Sequence, residues 1–154
     1  MYLTWWQGIF IFGWGLYALR AFLVGFHESR VKKNAYGWMP WYYPLGVFVW
    51  GDGVVFGPYW ISVVVVCYLL QDWLLFVFHF FVFWVVRSIG ETFFWINHQF
   101  STINKYPPHT LPGFMLFHND SIWFIYQTIA QCVTVVSFIL SLYFGYLWVA
   151  ERFV

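Results

Sequence analysis

Five ionisable side chains, Asp72, His79, Arg87, Glu91 and His98, follow one another at spacings of 7, 8, 4 and 7 residues. On a helix that turns ~100° per residue these spacings keep all five within an arc of roughly 120°. An acid and an imidazole two turns apart on an apolar helix are the residue types of a proton relay or a ligand site, since each can change charge. A second polar stripe, Asp120, Gln127, Gln131, Thr134, Ser137 and Ser141, shares one side of a later helix and is uncharged along most of its length. Amides and carboxylates left in hydrocarbon are costly, so the two stripes should turn inward and face each other. Asp72 and His79 would then form a proton-responsive core opposite Gln127 and Gln131. Arg87 and Glu91 would pair at the exit, and Asp52, between Gly51 and Gly53, would sit at a break in the chain at the entry.

Other chemistries find less support. A metal site needs three or four converging His, Asp or Glu ligands, and no His-x-x-x-His or Glu-x-x-His pair is present, so no metal is assigned. Haem would need an axial histidine at depth, a position only His79 fits, and no residue pattern identifies any other cofactor. Nucleophilic catalysis would need a base beside Ser137, Ser141 or Cys132, and none is near in sequence. An enzyme using His79, His118 and the acids is therefore the weakest reading.

These residues belong to a chain of 154 residues that is 62% hydrophobic, 28% aromatic and only 8% charged, too little polar surface for a water-soluble domain. The lipid bilayer is its expected solvent and first partner. A net charge of +1 offers no field for nucleic acid, which is excluded as a partner. Cys67 and Cys132 stand in apolar runs and read as core packing rather than redox groups. The apolar N-terminal run lacks a basic start and a small-residue cleavage site, and reads as a retained span.

The elements expected are an all-α polytopic bundle in a single domain. A first span covers about 3–26, a broken or re-entrant segment about 45–56, a long helix about 57–100 and a last span about 120–149. Gly51, Gly53, Gly57 and Pro58 act as helix breakers in this reading, with Pro58 at a first helical position and Asp52 capping the helix that follows. The alternative is four spans, with a turn at Gln71-Asp72 inside the long apolar stretch. That turn would lack the Gly or Pro that turns usually employ, since none occurs between Pro58 and Gly90. The Trp/Tyr-rich segment 36–44 suits the headgroup layer, 101–113 reads as a connecting loop, and Asn119 or Asp120 as an N-cap. His27, Glu28, Arg30, Lys32 and Lys33 form the densest charged cluster, which places loop 27–43 in the cytoplasm and the N-terminus outside.

Two function classes follow. In the leading one the protein binds or passes a small molecule or ion through an intramembrane polar cavity. In the other it is a non-catalytic accessory or structural subunit whose stripes bind helices, in a homo-oligomer or with a membrane partner protein.

Overall fold

A computed structural model describes residues 3–101 and 106–153 of the chain. Within them the protein is all-α: α1 (Trp5–Lys32), a 3-10 helix (Pro40–Leu45), α2 (Trp50–Leu69), α3 (Trp73–Phe100), a short 3-10 turn (Pro108–Thr110), α4 (Phe114–Phe117) and α5 (Ser121–Phe153). Among the described residues four helices are long and apolar enough to cross a membrane, Trp5–Lys32, Trp50–Leu69, Trp73–Phe100 and Ser121–Arg152. The protein is a multi-pass helical membrane protein. Of the loop expected at 101–113, residues 102–105 lie outside the described residues.

Four candidate spans are present rather than three, because the apolar stretch 57–100 does turn at Gln71-Asp72. Gln71 takes the left-handed conformation (φ 54°) that glycine usually supplies. Its amide bonds the Tyr68 carbonyl at 3.3 Å and the Asp72 amide bonds the Cys67 carbonyl at 2.9 Å, the paired closure of a Schellman motif. The Gln71 side chain donates a further bond to the Tyr68 carbonyl at 2.7 Å. Asp72 then opens α3, its Oδ1 accepting the Leu75 amide at 2.9 Å. Polar side chains here replace the glycine that the turn would otherwise need.

The chain divides into two compact units, residues 1–79 with 147–154, and residues 80–146. In the first, α1 and α2 pack antiparallel through small residues. A Cβ on Gly25 would lie 2.5 Å from the Trp50 carbonyl oxygen, one on Gly53 2.7 Å from that of Ala21, and one on Gly57 2.6 Å from Phe22 Cβ. Gly53 and Gly57 form a Gly-x-x-x-Gly pair that lets the backbones approach, the arrangement lipid-embedded helices use for close packing. The expected break at 45–56 is corrected accordingly: α2 begins at Trp50 and carries Gly51, Gly53, Gly57 and Pro58 within it. Aromatic rings fill the other side of this unit, Trp14 lying 5.5 Å from Trp60 and 6.1 Å from Phe76, and Trp6 5.2 Å from Trp73.

The α1–α2 connection folds back along both helices. Trp38 and Val49 form an antiparallel bridge. Met39, Tyr42, Leu45 and Val47 are buried. The Trp60 indole donates to the Leu45 carbonyl at 3.1 Å, and the Tyr17 hydroxyl donates to the Trp41 carbonyl.

In the second unit, residues 80–100 of α3 run antiparallel to residues 121–146 of α5. Phe81 stacks on Phe144 at 5.5 Å, Ser88 meets Thr134 at 2.8 Å, and Gln99 meets Gln127 at 2.6 Å. The turn into α5 is closed by the Asn119 side chain, which accepts the Ser121 amide at 2.9 Å.

Candidate functional site

Asp72 is the most heavily engaged of the expected site residues. Its Oδ2 accepts the Trp148 indole at 2.8 Å and the Arg152 guanidinium at 2.5 Å, while Oδ1 caps α3. Arg152 also lies 5.5 Å from the Trp148 ring centroid, a cation–π distance. The carboxyl is 9% exposed. Burial alone would raise its pKa, but the Leu75 amide, Trp148 and Arg152 together outweigh that and hold it below the usual carboxylate value. Asp72 therefore stays ionised in a turn between two candidate spans, rather than in the middle of one.

The remaining candidates have local partners. Asp52 Oδ2 accepts the Phe48 and Val49 amides at 2.9 and 3.1 Å, the capping role expected of it, although it sits inside the first turn of α2. His79 Nδ1–H donates to the Leu75 carbonyl at 2.9 Å, since a carbonyl can only accept. Arg87 and Glu91 form an ion pair whose side chains are 10% and 15% exposed, and Glu91 also accepts the Trp95 indole at 3.0 Å. Asp120 is exposed, and its backbone carbonyl accepts the Trp123 amide at 3.0 Å. Gln127 receives the Gln99 amide, and Gln131 is exposed.

The expected pairing of Asp72 and His79 with Gln127 and Gln131 is replaced by different partners. Stripe-to-stripe contacts exist, in Ser88–Thr134 and Gln99–Gln127, but helix direction decides the register. The late part of α3 meets the early part of α5, and Asp72, at the start of α3, meets Trp148 and Arg152 near the α5 end.

His98 is buried within an aromatic box. Phe94, Trp95, Tyr106 and Trp123 have ring centroids 4.3, 5.5, 6.0 and 6.1 Å from it, and its Nδ1 bonds the Phe94 carbonyl at 3.0 Å. Among the described residues no group of three or more His, Cys, Asp or Glu side chains is placed to hold a metal ion. Cys67 is buried as expected, whereas Cys132 is exposed on α5. One open groove of about 470 Å³ runs between the start of α1 and the end of α2, lined by Thr4, Trp5, Gly8, Phe12, Tyr68 and Gln71 among others.

No family model, curated protein or solved structure matches this chain. Its functional reading therefore rests on its own geometry.

Trp148, Arg152, Tyr17 and Trp60 are the participants that residue patterns do not bring out. Each indole, phenol or guanidinium meets a partner distant in sequence, so no local spacing marks it. The close α1–α2 contact does have a signal, the Gly53–Gly57 spacing opposite Ala18, Ala21 and Gly25, which reads equally as helix breaking when only the glycine content is weighed.

Proposed function

We propose that the protein is a non-catalytic membrane subunit whose polar stripes serve helix–helix assembly. One observation carries this reading: many of the polar side chains of the two stripes are engaged by protein. Ser88 meets Thr134, Gln99 meets Gln127, Arg87 meets Glu91, and Asp72 meets Trp148 and Arg152. A conduction path needs such groups turned toward water or ligand. Gln131 extends the argument outward, since an exposed amide on an apolar span favours a hydrogen bond to another membrane helix, from a second copy or a partner protein. Arg30 and Lys32 in the last turn of α1, with Lys33 just beyond, support a cytoplasmic side for the end of α1 by the positive-inside rule. With four spans, residues 5 and 153 would both lie on the outer side.

The test is the mass of the particle extracted in mild detergent. It should exceed the 18.6 kDa of one chain. Gln131→Leu should reduce it, and Gln127→Leu should lower thermal stability without changing mass. A monomeric wild-type particle would defeat this reading.

A second reading, binding or passage of a small molecule or ion, is favoured by the groove beside Tyr68 and Gln71. It calls for a flux or ligand-binding signal in proteoliposomes that Gln71→Leu diminishes.

A further inference from the structure

We infer that residues 36–49 form a re-entrant hairpin that enters and leaves the membrane on one side. Its tip, residues 41–44, lies among acyl chains near the bilayer centre, and lipid hydrocarbon covers its outward face.

Depth is given by two helices independently. Trp60 lies ten residues into α2 (Trp50–Leu69), so its level is ~15 Å below the helix start, half of a ~30 Å hydrocarbon core. At that level its indole holds the Leu45 carbonyl. Tyr17 lies twelve residues into α1 (Trp5–Lys32), ~18 Å from its start at the opposite face. There it holds the Trp41 carbonyl and stacks on Tyr42 at 5.2 Å. The connection from 33 to 49 is also far longer than the roughly 2–8 residues that antiparallel helix neighbours need.

Non-helical backbone survives at membrane depth only where its polar groups are satisfied by protein or a cavity. Here they are satisfied by protein. The Met39 amide bonds Phe48 O at 2.8 Å, Gly46 bonds Tyr43 O at 2.8 Å, Val47 bonds Tyr42 O at 3.3 Å, and Trp50 bonds Gly37 O at 2.9 Å. Asp52 takes the Phe48 and Val49 amides. Pro40 and Pro44 bring no amide at all. Tyr42, Leu45 and Val47 face inward, whereas Trp41 is 84% exposed. A ring so exposed at that level, on the surface of two apolar spans, has acyl chains for neighbours.

The hairpin is independent of the assembly reading and fails separately from it. The test places a nitroxide at Trp41→Cys in the full chain with Cys67→Ala and Cys132→Ala, reconstituted in phosphatidylcholine vesicles. Reference labels go at Ser62→Cys, exposed near the middle of α2, and Asn34→Cys, exposed beyond α1. The oxygen-to-nickel accessibility ratio at 41 should match that at 62 and exceed that at 34, since both 41 and 62 would lie in the hydrocarbon core. A ratio like that at 34 would place the tip in the headgroups or water and overturn the inference. Shielding from both reagents would mean a protein covers the tip, and would overturn it equally. Tyr43→Cys is the second labelled position should the first variant lose helix content.

Discussion

The Asp72 carboxylate and the Arg152 guanidinium meet at 2.5 Å although eighty residues separate them in the chain. One acid thereby ends α2, caps α3 and anchors the last turns of α5. Asp72 is 9% exposed while the Arg152 side chain is 41% exposed, so the ion pair is partly screened and the cap is the better-protected contact.

Removing the cap should therefore cost more than removing the charge. Asp72→Ala is expected to lower stability by about 1 kcal/mol or more through the lost cap. Asp72→Asn, which keeps an acceptor for the Leu75 amide, should cost less. Thermal unfolding in detergent followed by circular dichroism measures both, and equal losses would shift the weight to the ion pair.

Acid should weaken the same junction. The Asp72 pKa is depressed in the folded protein, so its contribution is fully present above the ordinary aspartate value of about 3.9 and is lost as pH falls through the folded value. A pH series of melting curves on wild type and Asp72→Asn should converge in acid. Parallel curves throughout would assign the pH dependence to other groups.

Glycine substitutions should divide into two groups by what surrounds them. Gly53→Ala and Gly57→Ala drive a Cβ to within 2.7 Å of a carbonyl oxygen and 2.6 Å of Phe22 Cβ, and overpacking of this kind costs about 1–3 kcal/mol. Gly8→Ala and Gly90→Ala meet nothing within 4 Å and should be neutral or stabilising by up to about 1 kcal/mol through helix propensity. Uniform effects at the four positions would contradict the close α1–α2 packing.

The Gln99–Gln127 contact should be modest but real. Gln99→Leu and Gln127→Leu in a double-mutant cycle should show a coupling of about 0.6 kcal/mol, the scale of interhelical hydrogen bonds in membranes. Zero coupling would remove this pair from the forces holding α3 to α5.

The helical class and the membrane setting were legible because both follow from composition and run length, properties that survive without any tertiary information. The turn at Gln71-Asp72 was harder to read, since its left-handed residue is a glutamine and its closure depends on backbone bonds to Cys67 and Tyr68. The polar stripes were legible as stripes, but periodicity carries no information about helix direction. Hence periodicity alone sets Gln127 opposite Asp72 and His79, whereas it meets Gln99. The glycines of α2 illustrate the same limit: their cost to an isolated helix is local and visible, whereas their benefit depends on Ala21, Phe22 and Gly25 of another helix.

The hydrogen bonds from Tyr17 and Trp60 to the Trp41 and Leu45 carbonyls imply an order of events. One donor belongs to α1 and the other to α2, which the chain makes only after the hairpin has emerged. Until both helices are across, residues 36–49 have nowhere in the hydrocarbon to rest, and their tryptophans and tyrosines suit the headgroup layer in the meantime. The segment is thus composed for two environments in succession, a waiting position at the interface and a final one between the lipid and the completed helix pair.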